Sequence, residues 1–290
     1  MSEVKGPLDS RFDWLRATQN PEGGWGFFPG KQSWLEPTVY ALMALQGDPS
    51  SREHLERGWK LVRSWQLPDG SWQPCAAVRQ AHWTTALCVT LHCVRNVRDG
   101  AFVKGVNWLL DTSGMENGLK FRLAHIVFPD TVSLDPSLKA WPWLPGNTSW
   151  IEPTAHALVA LKKVSGAQAG SRLRDRIVAG EKMILDRRCS DGGWNYGDRR
   201  VLGTDLPSYP ETTALALLGL AGNRSLDVSS ALAAAQRYLR DTRSPLAKAW
   251  LRVCLRSHGI ALAQPGAIPL APNDTLINAL EIIAATGVMA

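Results

Sequence analysis

The hydrophobic and polar positions of this chain fall into two kinds of segment that alternate along it. In the first kind, as in 53–65 and 171–187, apolar residues return with the helical period and charged residues fill the opposite side. In the second, as in Thr38-Val39-Tyr40-Ala41-Leu42 and Thr154-Ala155-His156-Ala157-Leu158, small and apolar residues cover nearly the whole circumference, which is the pattern of a buried helix. The alternation predicts half-exposed outer helices at about 8–18, 53–65, 101–111, 173–187 and 228–241. It predicts buried inner helices at about 37–46, 84–94, 153–163, 212–221 and 246–257, with a last apolar helix at about 274–287. A buried ring of helices wrapped by an exposed ring is an all-α fold, an α/α toroid of the α6/α6 barrel type. No linker breaks the pattern, so residues 1–290 read as one toroid domain. The segment at about 114–150, which holds Pro129, Pro136, Pro142 and Pro145, reads as an irregular excursion over one end.

The joints between outer and inner segments repeat as well, and repeats of this length mark a fold built from one unit used several times. Glu22-Gly23-Gly24-Trp25 returns as Asp69-Gly70-Ser71-Trp72 and as Asp191-Gly192-Gly193-Trp194. The first two share a wider frame, Gln19-x-x-x-Gly23-x-Trp25 and Gln66-x-x-x-Gly70-x-Trp72, whereas the third has Arg188 in place of the glutamine. Weaker traces begin at Trp108-Leu109 and Tyr238-Leu239. A threonine follows 13 residues after Trp25, Trp72 and Trp141, at Thr38, Thr85 and Thr154, and opens the inner helix. Threonine suits a cap or a first turn, and Pro37 and Pro153 suit the first turn, where a missing N–H costs nothing. The unit is therefore helix, Gly-Trp turn, helix.

Composition narrows the function. Charged residues make up 20% of 290 and apolar ones 45%, as in a soluble globular protein. No apolar run is long enough for a transmembrane helix, and the start of the chain has no signal-peptide pattern. Five cysteines form no CxxC pair and read as reduced, mostly buried thiols, which suits the cytoplasm. The net charge of +6 is scattered; it tolerates an anionic ligand or a peripheral contact with an anionic membrane surface without requiring either. No basic stripe interleaved with aromatics is present, so no nucleic-acid partner is expected. Tryptophan is abundant, with 13 residues.

The Gln-x-x-x-Gly-x-Trp frame resembles the repeat of squalene–hopene and oxidosqualene cyclases, and Asp-Gly-Gly-Trp also resembles the turn of protein prenyltransferase β subunits. The likeness runs along most of the chain and implies one toroid of the terpenoid cyclase and prenyltransferase superfamily. It casts the Gln, Gly and Trp residues as scaffold: Gln bonds backbone groups of the next unit, Gly tightens the turn, Trp covers the gap. Full-length triterpene cyclases pair two toroids, so the resemblance implies a shallower cavity here, or a partner subunit that completes it.

Three inner helices begin alike: Ser33-Trp34-Leu35-Glu36-Pro37-Thr38, Ser149-Trp150-Ile151-Glu152-Pro153-Thr154 and Ser208-Tyr209-Pro210-Glu211-Thr212-Thr213. In a toroid all inner helices start at one end, which gathers Glu36, Glu152 and Glu211 around one rim. In class II terpene cyclases the proton donor sits in an Asp-x-Asp-Asp-Thr motif at such a start. Aligned by its threonine, Glu152 takes the donor's position, and Glu36 does so in the first copy. Trp150 and Pro153 stand where flanking aspartates would be. His156, four residues on, shares the helical face of Glu152 and is its expected polar partner. Trp34, Tyr40, Trp83, Trp150 and Tyr209 are candidates to line the cavity and stabilise a carbocation, at about 2 kcal/mol per desolvated ring. The bland alternatives are capping carboxylates, a core histidine and rim packing.

The resemblance thus implies a class II-like cyclase, of isomerase or lyase type, acting on a polyprenyl or other hydrophobic, isoprenoid-like molecule. The rival is a non-catalytic toroid that binds a lipid, peptide or protein partner. Asp186-Arg187-Arg188-Cys189 does not reproduce the zinc-binding Asp-x-Cys of the prenyltransferases, so neither a metal site nor a cofactor is expected. Arg187, Arg188, Arg199 and Arg200 offer a place for a diphosphate, or simply a solvated rim.

Overall fold

A computed structural model of the chain describes residues 7–127, 135–164, 170–201, 203–262, 270–271 and 273–289. The helices among them, in chain order, are α1 (Pro7–Ala17), α2 (Leu35–Leu45), α3 (Arg52–Ser64), α4 (Thr85–Val94), α5 (Gly100–Asp111), α6 (Leu119–Val127), α7 (Ile151–Val164), α8 (Ser171–Asp186), α9 (Pro210–Gly219), α10 (Leu226–Asp241), α11 (Pro245–Ser257) and α12 (Thr275–Thr286). A short antiparallel hairpin, β1 (Arg200–Val201) and β2 (Thr204–Asp205), lies before α9.

Helices α2, α4, α7, α9, α11 and α12 pack side by side in that order, and α12 returns to α2 to close a ring. Outside it, α3 packs on α2, α5 on α4, α8 on α7, α10 on α9 and α11, and α1 on α12 and α2. This is the α/α toroid that the alternating pattern predicts. The inner helices are apolar all round because both faces are covered: every residue of α2 is buried except Glu36. The outer helices keep a charged face in water, as α3 does with Glu53, Glu56 and Lys60.

The joints show why the spacing repeats. Each turn tryptophan points its indole N–H back at an outer helix: Trp25 to the carbonyl of Leu15, Trp72 to Val62, Trp141 to Leu109 and Trp194 to Ile184, at 2.6–2.9 Å. Each accepting carbonyl belongs to the last turn of its helix, where no i+4 N–H of the helix reaches it. The same tryptophans donate their backbone N–H to a threonine of the next inner helix, Thr38, Thr85, Thr154 and Thr213, at 2.9–3.1 Å. Threonine therefore ties the turn to the inner helix. The side chain of Gln19 donates to the carbonyls of Gly23 and His54, and that of Gln66 to Gly70 and Ala101. Arg188 takes this place in the third joint, donating to the Gly192 carbonyl, Asp227 and Ser230. Gly70 sits at φ +93°, and a Cβ there would lie 2.6 Å from the Lys104 carbonyl of the next outer helix.

The segment expected to be irregular carries a helix, α6, because its prolines begin only at 129; residues 128–134 of the segment lie outside the described residues. Leu119, Leu123 and Ile126 of α6 are exposed. The insertion falls between α5 and its tryptophan: Trp141 reaches back to Leu109 across 32 residues, where the other joints need 10. Buried Glu116 anchors the return by accepting the N–H of Ser149 at 3.1 Å and its hydroxyl. Arg187 is consumed in the same network, donating to the Ser149 carbonyl at 2.6 Å. Among the described residues no helix is long and apolar enough to cross a membrane.

Candidate functional site

Five inner helices each follow an outer helix, and the sixth, α12, begins beside the joint that leads into α2, so the starts gather at one end of the ring. Glu36 and Glu152 occupy equivalent places there, in the first turns of α2 and α7. Both keep accessible surface while the residues around them on their helices are buried. Neither has a hydrogen-bond or ion-pair partner among the described residues, and the N-terminus of α2 has no side-chain cap. Both therefore stand half-buried and without a side-chain partner at the ring's end. Burial pushes the Glu36 carboxyl up to about 7. It pushes Glu152 up to about 8, with the charge of Glu36 adding to the effect. A neutral acid near pH 7 is the physical result.

One turn deeper, Tyr40 and His156 form the floor. The hydroxyl of Tyr40 meets Nε2 of His156 at 3.4 Å, a long contact that joins α2 to α7 across the ring. Each lies four residues after its glutamate, so the i, i+4 face of each helix carries a carboxylate above and a floor residue below. Burial lowers His156 to about 3, which keeps the imidazole neutral, and holds the Tyr40 phenol well above its ordinary value. His156 thus bonds Tyr40 and not Glu152; its expected pairing with the acid is replaced by contact with the opposite wall. Trp83 lies 5.0 Å from the His156 ring, and Trp250 lies 5.9 Å from His156 and 5.5 Å from Tyr40. Trp143 stands edge-on to Trp83 at 5.3 Å. These centroid distances are ordinary for packed aromatic rings.

The other expected residues are placed differently. Trp34 is half-buried at the start of α2, beside Phe27 at 6.1 Å. Trp150 is half-buried at the start of α7, where Gly197 packs on its ring. Tyr209 is exposed on the rim, 5.4 Å from Tyr196. Tyr196 feels the charges of both Glu211 and Glu152, which puts it between the two helix starts. Glu211 accepts a hydrogen bond from the Ser244 hydroxyl at 3.0 Å, so it helps hold the start of α11 and is engaged where Glu36 and Glu152 are not. Trp250, Trp143 and Tyr196 were not among the expected residues. None belongs to a repeated motif, and only closure of the ring brings Trp250 opposite Tyr40. Arg188 and Arg200 are occupied by Asp227 and Asp205, and both line a depression outside the ring together with Arg199.

The arrangement sets a desolvated acid and a second carboxylate beside a layer of packed aromatic side chains. No protein-family model matches the chain. A drimenyl diphosphate synthase from Streptomyces showdoensis is 26% identical over 212 residues, covering 71% of this chain and 36% of that protein. The chain thus spans about a third of the length of that relative. Among solved structures, type II terpene cyclase MstE from Scytonema is similar at a TM-score of 0.58 in its complex with merosterolic acid A, with 17% identity and 96% of each chain covered. Its complex with geranylgeranyl dihydroxybenzoate gives 0.56, with 16% identity over 98% of this chain and 97% of that one. The family 8 endoglucanase Cel10 from Klebsiella pneumoniae gives 0.55, with 13% identity over 96% and 98%. At these identities the structural likeness is one of fold, and two different chemistries share it. The joints and the ring make this chain an α/α toroid, and it is similar in fold to the terpenoid cyclases.

Proposed function

We propose that this protein is a terpene cyclase-like enzyme that closes rings in a prenylated hydrophobic substrate, and that Glu152 starts the reaction by protonating an alkene. The observation that carries the reading is the state of Glu152: raised to about 8, unpartnered among the described residues, and set above an aromatic floor. A structural carboxylate would be paired or hydrogen-bonded; an acid waiting for an apolar partner is left bare and desolvated. The chain lacks the flanking aspartates of the class II motif, and Glu36 supplies a second carboxylate from α2, beyond α4 in the ring. Tyr40, Trp83 and Trp250 form a packed aromatic layer near the carboxylates, and neutral His156 adds no competing positive charge.

The substrate class follows from the walls and from the relatives. A geranylgeranylated aromatic acid is bound by MstE, and the other relative is named for a terpenoid diphosphate. The geranylgeranyl group is a polyprenyl chain, whose double bonds a neutral carboxylic acid can protonate once water is excluded. The exposed rim, with Tyr196 and Tyr209, is where the polar end of such a molecule would remain.

The test is turnover of a panel of prenyl diphosphates, prenylated aromatic acids and squalene, followed by mass spectrometry. Wild type is expected to yield a cyclised product, and Glu152→Gln to lose it by at least about a hundredfold, the lower range for removal of a general acid. Equal product from both proteins would remove Glu152 from the mechanism. A lipid that co-purifies equally with both, with no turnover by either, would favour the binding toroid instead.

A further inference from the structure

We propose that Glu36 is the base that ends the reaction and returns the proton to Glu152, so that the product is an alkene isomeric with the substrate. The proposal rests on the reading of Glu152 as the acid. It starts from a symmetry of position. Glu36 and Tyr40 on α2, and Glu152 and His156 on α7, are the same i, i+4 pair on two inner helices. The contact of Tyr40 with His156 fixes the lower members of the pairs against each other, so both carboxylates stand over one floor. Glu211 has the equivalent place on α9 but is held by Ser244; Glu36 is as bare as Glu152.

The other groups at this end are less well placed to take the proton. Tyr40 is a buried phenol whose hydroxyl meets His156, and Nε2 of His156 is turned to that hydroxyl, a turn below the carboxylates. His82, before α4, has Nδ1 3.2 Å from the Thr84 hydroxyl. Tyr196 and Tyr209 lie out on the rim. None of the cations near the helix starts, Lys31, Arg79 or Lys248, forms an ion pair with either glutamate. The like charge of Glu36 also disfavours ionisation of Glu152, which favours a resting pair with one proton.

The steps balance without an added reagent. The O–H bond of Glu152 breaks as a C–H bond forms at the alkene, leaving Glu152 ionised and a carbocation in the substrate. Ring closure moves the cation along the chain, between two carboxylates that lower its energy. A C–H bond next to the cation then breaks; its electron pair becomes the new C=C bond, and the proton joins a Glu36 oxygen. Transfer of that proton from Glu36 to Glu152, directly or through one water, restores the resting pair. Substrate and product have the same composition.

The experiment compares wild type, Glu36→Gln, Glu36→Asp and Glu152→Gln on the same substrate panel, with folding of each variant checked by thermal melting. The expected wild-type product is an alkene of unchanged mass. Glu36→Gln is expected to lower that alkene at least about tenfold, with hydrated or isomeric products in its place, while Glu36→Asp restores the alkene and Glu152→Gln yields none of these compounds. A hydrated wild-type product, or an unchanged alkene from Glu36→Gln, would overturn the role of Glu36 while leaving that of Glu152 intact. Should wild type convert no substrate, the cyclase reading fails separately. The pair is then tested by titrating 13C-labelled glutamate side chains by NMR. Glu152 is expected to titrate at lower pH in Glu36→Gln than in wild type, and an unmoved Glu152 would show that the two carboxyls do not share a proton.

Discussion

At the scale of single residues, three glutamates in one repeated setting differ by what each touches. Glu211 is satisfied by Ser244, whereas Glu36 and Glu152 have no such partner among the described residues. Titration follows from this. In the folded chain Glu36 and Glu152 hold protons at pH values where an unfolded chain has released them, so the native state binds more protons between the ordinary carboxyl range and about 8. Stability therefore falls as pH rises through that window. His156 acts in the opposite sense: it stays neutral down to about 3, so the unfolded state binds more protons below about 6.5 and stability falls toward acid. Thermal melting of wild type against the double variant Glu36→Gln, Glu152→Gln is expected to show the alkaline loss in wild type and its reduction in the variant. An identical pH dependence would place both carboxyls in water. The two glutamates, Tyr40 and His156 were legible in the sequence because they recur at fixed places on a repeated helix. Trp250 and Trp143 were not, since their roles depend on which helices become neighbours in the closed ring.

At the scale of elements, the unit is held by a small set of bonds that meet at the turn tryptophan. Thr154→Val keeps the volume but leaves the buried N–H of Trp141 without its acceptor. It is expected to cost about 1–3 kcal/mol, the penalty for an orphaned buried donor, measurable by urea denaturation. Gly70→Ala faces both a positive φ and the Lys104 carbonyl, so it is expected to destabilise at least as strongly. The helices were legible nearly to the residue. The part the threonines play was not, because a hydroxyl that accepts from a turn and one that caps a helix leave the same trace in a sequence. The helix within the 114–150 segment escaped for a different reason: prolines later in the segment coloured the reading of a proline-free stretch before them.

At the scale of the molecule, closure decides whether a site exists at all. α12 completes the ring by bonding back to the first joint: the Thr275 hydroxyl donates to the Gly26 carbonyl at 2.7 Å, and its N–H donates to that of Phe27. Asn278 accepts from Arg11 of α1. Between α11 and α12, Arg252 and Glu281 form a buried ion pair at 2.8 Å. Glu281→Ala would strand the arginine and is expected to cost about 3–5 kcal/mol, read as a lowered denaturation midpoint. The same variant should weaken the site, because α11 carries Trp250. The ring was legible as a whole from the alternation of amphipathic and apolar segments. Its closure was foreseen only as a last apolar helix, since Thr275, Asn278 and Glu281 carry no motif of their own.

The central claim is that a buried glutamic acid at the ring's end protonates a prenyl chain. It is tested most directly by running the reaction in deuterium oxide and locating the label in the product. Product release opens the carboxyl pair to exchange with solvent, so protonation by Glu152 predicts one solvent deuterium on a carbon of the former double bond in wild type, and no labelled product from Glu152→Gln. A cyclised product without deuterium, or labelled product undiminished in Glu152→Gln, would contradict the account.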